Sequence, residues 1–327
     1  MRHDTPRVGI SLAFVCLFIL GAMPIIANSR PAGFGALSFA FCLSAWQLLC
    51  SLPLLLREAR GGGRGIFGAG LAADLRRRTV VIILATGAIF ALSTYVYVLA
   101  VEKAGAVSAA IAIQAYPLFA ILLETVVLKR RKSAAEVLCV LVLVTALYFL
   151  ATGGTWRIAG FSGWFVLALA IPFLWSIAHV IVKEVLDRTP ITPAQVTFLR
   201  VLVSALALGI AAVAVDGPRS VARDLVNRDF QAFALVMGLV YYLELIFWFH
   251  AVRHIAVSMA SAITVPAPAL TMVLAIAFLG DRVAGYQAGA LAVVAASIYG
   301  LILAGAKRRC GPAGPGQEAR AADAPAP

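Results

Sequence analysis

The sequence predicts an all-α membrane protein, with ten transmembrane helices arranged as two inverted five-helix repeats. Three observations predict it. The chain of 327 residues is 62% hydrophobic and 13% charged, with mean hydropathy +0.96, far outside the composition of a soluble domain. Ten apolar stretches approach the roughly 20 residues that a bilayer-spanning helix needs. Finally, residues 100–131, AVEKAGAVSAAIAIQAYPLFAILLETVVLKRR, are echoed by residues 251–282, AVRHIAVSMASAITVPAPALTMVLAIAFLGDR, at a constant offset of 151.

The first repeat, residues 8–154, holds spans at 8–27, 35–56, 79–101, 107–128 and 137–153. A basic start followed by an apolar run also fits a signal peptide, but cleavage would remove the opening helix of this repeat. A Gly/Arg-rich loop, 57–78, joins the second span to the third. The second repeat, residues 161–306, holds spans at 161–182, 194–215, 230–252, 258–279 and 286–306. The register pairs Pro117 with Pro268, Arg131 with Arg282 and Tyr148 with Tyr299. Because each half has five spans, the second half must run upside down. From Lys307 the tail, 307–327, is rich in Pro, Ala and Gly, which predicts disorder.

Charge supports the inversion. With the N-terminus inside, 19 basic residues fall on the cytoplasmic side and seven on the other, with Arg200 within a span. That is the positive-inside pattern, with both termini cytoplasmic. It accounts for the net charge of +12 without nucleic acid as a partner. Loop 57–78 carries six Arg against Glu58 and Asp74, whereas its counterpart 216–229 balances three Arg with three Asp. Five scattered cysteines (Cys16, Cys42, Cys50, Cys139 and Cys310) have no ligand spacing, so neither a disulfide framework nor a metal site is expected. No cofactor motif is visible.

The chain resembles the drug/metabolite transporter superfamily, in its EamA-type branch of ten helices. The resemblance rests on PFLWSIAHVIVKEVL in the sixth span, FLRVLVSALAL in the seventh, and the repeated proline-centred helix with a charged turn. It departs from the family at Arg130 and Asp281, where Glu is common, and at Gln47, the counterpart of Arg200. The resemblance implies a small-solute carrier for amino acids, their derivatives or other metabolites, often moved outward, in a bacterial-type inner membrane.

Polar groups deep in the bilayer are the candidate working residues, since a charge there costs about 2.5–3.5 kcal/mol on insertion scales. Glu244 lies near the centre of the eighth span, with Tyr241 at i−3 and Trp248 at i+4 on its face. A carboxylate flanked by aromatics can bind an amino group or carry a proton; it can also fix helix packing. In the fourth span Gln114, Pro117, Ile121 and Glu124 share one stripe. Gln114 is a candidate cavity-lining hydrogen-bond donor. Glu124 is a weaker one, because pairing with Lys129 or Arg130 or snorkelling explains it more simply. Pro117, Pro266 and Pro268 are expected to kink their helices, as fixed bends or as gate hinges. Thr264 joins the predicted cavity wall. His179, one turn after Trp175, is either a proton relay or a satisfied interhelical donor. Arg200 is read as structural, snorkelling to the cytoplasmic surface or pairing within the bundle, and Tyr95 and Tyr97 as interfacial belt or cavity wall. A small-residue stripe through Ala288, Ala292, Ala296, Gly300 and Ala304 permits close helix packing, within the chain or in a homodimer.

Inverted repeats with a site between them are the usual architecture of secondary transporters. No Walker-type motif is present, which leaves proton coupling or the solute gradient as the energy source. An intramembrane enzyme would need HExxH, a Ser nucleophile with a His base, or paired aspartates, and none is found. A non-transporting receptor or assembly protein would need ligand-binding extramembrane segments, which the short loops do not offer. The expected partners are therefore a small-molecule substrate and the lipid bilayer.

Overall fold

A computed structural model describes residues 6–31, 33–60, 65–67, 72–116, 118–119, 122, 133–157, 162–255, 260 and 263–310. The helices are α1 (Pro6–Asn28), α2 (Ala36–Arg60), α3 (Ala73–Ala104), α4 (Ala106–Ile113), α5 (Ala134–Ala151), α6 (Gly163–Arg188), α7 (Pro193–Val215), α8 (Pro218–Val226), α9 (Arg228–His254), α10 (Ala267–Leu274) and α11 (Gly285–Cys310). A short 3-10 turn covers Gly65–Phe67, and a π-helical turn, Ala275–Leu279, extends α10. Among the described residues there is no strand. Pro117, Ile121, Glu124, Lys129 to Lys132 and the tail from residue 311 lie outside the described residues.

Helix starts follow from local chemistry. Ser133 and Glu136 form a capping box at α5, each accepting from the other's backbone amide (2.7 and 3.2 Å), which satisfies donors that the helix leaves orphaned. Thr192 and Gln195 do the same at α7, where Pro193 opens the helix without needing its missing amide. Asn227 caps α9 through the Phe230 amide (2.9 Å). The π-helical turn ends at Gly280, whose φ of 66° is the left-handed conformation that a helix C-cap favours.

Among the described residues seven helices are long and apolar enough to cross a membrane. Two of the ten expected spans, the fourth and the ninth, are interrupted. The fourth span ends as α-helix at Ile113 and passes through a turn at Gln114–Ala115; the ninth has a turn at residues 265–266 before α10. These two breaks are 151 residues apart, the offset of the sequence echo. A nine-residue helix, α8, also occupies the loop 216–229, where no helix is expected from the spans.

Packing partners come in pairs. Helix α1 packs on α9 and α3 on α6; α2 packs on α9 and α7 on α3; α1 packs on α10 and α4 on α6. The remaining large contacts join α2 to α7 and α5 to α11. Exchanging the first five spans for the second five converts each of these pairs into its companion. Two glycines anchor equivalent contacts, again 151 residues apart. A Cβ on Gly87 would lie 2.8 Å from Val203 Cβ and 3.0 Å from the Arg200 carbonyl oxygen; one on Gly238 would lie 2.6 Å from the Leu43 carbonyl oxygen. Only glycine lets these backbones come so close.

Buried apolar side chains form two clusters. One includes Phe39, Tyr97, Phe165, Phe230 and Tyr241; the other includes Ile66, Ile83, Phe90, Trp248 and Phe249, and Trp175 packs against both. Large apolar residues also cover the exterior, among them Phe18, Leu138, Ile210 and Phe278. Such an apolar surface is stable against lipid and not against water. Ala288, Ala292 and Ala296 of the small-residue stripe face this exterior as well, whereas Gly300 closes against Cys139 of α5.

Candidate functional site

A cavity of about 60 Å³ opens where the two apolar clusters meet. Its wall comprises Leu20 of α1, Phe90 and Thr94 of α3, Ile113, Gln114 and Tyr116 of the fourth span, Trp175 and His179 of α6, Arg200 of α7, Tyr241, Glu244, Leu245 and Trp248 of α9, and Thr264 of the ninth span. The six predicted cavity residues that the structure describes, Gln114, His179, Tyr241, Glu244, Trp248 and Thr264, all line it.

Gln114 and Thr264 reach the wall through the two helix breaks. At the first, the amides of Gln114 and Ala115 bond three residues back, to Ile111 and Ala112 (3.1 and 3.0 Å), instead of four. Pro268, four residues past Thr264, has no amide with which to bond back to the Thr264 carbonyl across the second break. Pro266 and Pro268 are expected to kink a continuous helix; instead α10 begins between them at Ala267. Pro268 lines a smaller adjoining chamber of about 20 Å³, together with Met23, Pro24, Tyr97, Thr271 and others. Thr271 donates to the Gly21 carbonyl (2.8 Å) and fixes α10 against α1.

His179 sits in an aromatic cage. Its ring centroid lies 5.4 Å from Phe90, 5.8 Å from Tyr116, 5.9 Å from Trp248, 6.1 Å from Phe249 and 6.3 Å from Trp175. The Trp175 indole is held by a hydrogen bond to Ser93 (3.1 Å). Among the described residues neither His179 Nδ1 nor the Tyr241 hydroxyl has a hydrogen-bond partner. Glu244 is partly exposed to the cavity, and its backbone carbonyl accepts a weak bond from Cys16 of α1 (3.6 Å).

Arg200 departs most from expectation. Only 3% of its surface is exposed, so it does not snorkel, and among the described residues no ion pair is formed by it. Its guanidinium lies 3.6 Å over the Phe90 ring, a cation–π contact that also fixes the guanidinium plane. Arg200, about six residues into its span, reads from the sequence as structural and is not in the predicted cavity wall. Phe90, Tyr116 and Trp175 were also absent from the predicted wall. The paired spacing of Gly87 and Gly238 is the sequence signal that could have drawn attention to α3 and its neighbour α7.

Toward the side that holds fewer basic residues, a cleft of about 480 Å³ is lined by Arg30, Phe34, Tyr95, Glu102, Lys103, Asp216 and others. Arg30 and Lys103 both pair with Glu102 there. Tyr95 faces this cleft, whereas Tyr97 is buried beside the central cavity. Among the described residues no group of three His, Cys, Asp or Glu could hold a metal ion.

Residues 162–303 match the EamA-like transporter family. A crystal structure of a protein with 16% sequence identity superposes with a TM-score of 0.62 and covers 90% of this chain and 96% of that one; at that identity the likeness shows the fold alone. No curated protein matches the chain.

Proposed function

From an EamA-like domain that supports membership of the drug/metabolite transporter superfamily, we propose a secondary carrier that moves a small metabolite across the membrane by alternating access. The solute is an amino acid or a related compound, and the direction is export. The observation that carries this reading is the central cavity, where Arg200, Glu244, Gln114 and His179 converge from four helical spans into a mainly apolar and aromatic wall. A few placed polar groups in an apolar pocket are what a small-molecule site requires.

The cavity supports the transport step through its size. At about 60 Å³ it is well below the roughly 300–1,000 Å³ of ligand pockets, so solute entry requires the surrounding helices to separate. The interrupted fourth and ninth spans supply backbone that can move without breaking a continuous ladder, and Pro117, Pro266 and Pro268 are the gate hinges of the proposal. The paired helix contacts support ten spans in two inverted repeats, 8–154 and 161–306, that rock about this point. In the proposal both termini face the cytoplasm of a bacterial-type inner membrane, and protons or the solute gradient supply the energy.

Metabolite profiling of the medium tests this reading, using intact cells that express the wild type or Glu244→Gln at matched membrane levels. The reading expects a solute to accumulate outside with the wild type and to be lost with the variant. Accumulation that survives the substitution would leave the carrier and reduce Glu244 to a packing role. If the wild type changes no solute, export fails.

A further inference from the structure

We propose that Arg200 is the receptor for an anionic group of the transported solute, which enters as a dipolar ion with its cationic group toward Glu244. The inference rests on the carrier reading and names what the carrier's central site selects.

A guanidinium removed from water needs anionic or carbonyl oxygens around it, because an unpaired buried charge is costly. Arg200 is 3% exposed, yet its Nε and Nη1 have no hydrogen-bond partner. Phe90 covers one face of the group at 3.6 Å. Stacking satisfies a face and not the N–H groups, which lie in the guanidinium plane and remain available for oxygens. The backbone that carries it is also held in place. Ser204 donates to both the Arg200 and Gly87 carbonyls (3.1 Å each), and the absence of a side chain at Gly87 lets α3 lie directly against this turn of α7. The position is thus preorganised and unoccupied by any described protein group.

Glu244 does not fill that role. It lines the same cavity, and its charge interacts with that of Arg200, but the two form no ion pair within the described residues. Opposite charges held apart across a cavity match a solute that carries both signs at its two ends. A solute with only an anionic group would meet repulsion from Glu244, and one with only a cationic group would meet it from Arg200. The anion is a carboxylate or a phosphate, since both present oxygens to in-plane guanidinium donors.

The test identifies solutes that the wild type moves out of cells and then measures their transport in proteoliposomes beside analogues lacking the anionic group. The expected solutes all carry a carboxylate or a phosphate together with a basic nitrogen, and their structures distinguish the two anions. Wild-type protein should prefer the complete solute by roughly tenfold or more, the scale of a lost charged hydrogen bond. Arg200→Gln should lower transport of the complete solute and bring that preference near unity. Arg200→Lys should retain part of it. A merely structural Arg200 would lower transport of solute and analogue together, and that result overturns the proposal. Exported solutes without an anionic group also overturn it while leaving the carrier intact, whereas the absence of any exported solute removes the carrier reading and this proposal with it.

Discussion

The closest approaches in the bundle are set by single residues. Gly238 has the Leu43 carbonyl oxygen and the Gln47 amide within 2.9 Å of where a Cβ would stand, and neither backbone atom can rotate away. Gly238→Ala is therefore expected to destabilise the protein by about 1–3 kcal/mol, the usual cost of overpacking. Gly289→Ala, with nothing within 4 Å of the added carbon, should leave stability unchanged or slightly raised. Thermal unfolding of the purified variants in detergent checks both. At the same scale, Glu244, Tyr241 and Trp248 were legible in the sequence because a charge stands out in an apolar run and helical spacing fixes its companions. Arg200 was not. Its depth along the span suggested an escape to the surface, and only the packing of α3 against α7 shows that route to be closed.

Among the helices, the start of α7 joins two parts of the chain. The Thr192 hydroxyl accepts from the Gln195 amide (3.2 Å) and donates to Glu58 at the end of α2 (2.6 Å), while Gln195 Oε1 accepts from Ile66 in the 3-10 turn (3.1 Å). Thr192→Ala is expected to cost about 0.5–2 kcal/mol, the range for lost N-caps, and Thr192→Ser to restore most of it. The same unfolding measurement decides. For the ninth span the expectation concerns motion. Pro268→Ala restores an amide where α10 begins and should favour a straighter helix. Transport in proteoliposomes should fall several-fold while solute binding is kept; loss of both together would place Pro268 in the binding wall and not in a hinge.

For the whole molecule, the charge pattern predicts which end of the bundle faces out. A membrane-impermeant thiol reagent applied to intact cells should label Arg219→Cys in the loop that carries α8, and should not label Arg60→Cys at the end of α2, both in a cysteine-free background. The reverse pattern would invert the topology and place the Arg30–Glu102–Lys103 cluster on the cytoplasmic side. In the predicted orientation that cluster lines the outward-facing cleft, and its ion pairs hold α3 to the turn after α1.

The sequence by itself determined the apolar character of this protein, its long helices and the offset at which its two helix breaks recur, and it singled out Gln114, His179, Tyr241, Glu244, Trp248 and Thr264, which line one cavity. These follow from composition, from proline chemistry and from an offset that recurs along one dimension. Only the tertiary structure decided which of those groups meet. Lipid tails accept an apolar helix face as readily as another helix does, so hydrophobicity alone does not fix how each span is rotated. That rotation comes from close contacts such as Gly87 on α7 and Gly238 on α2. They turn Arg200 inward toward Glu244, across 44 residues of sequence that contain no sign of the meeting.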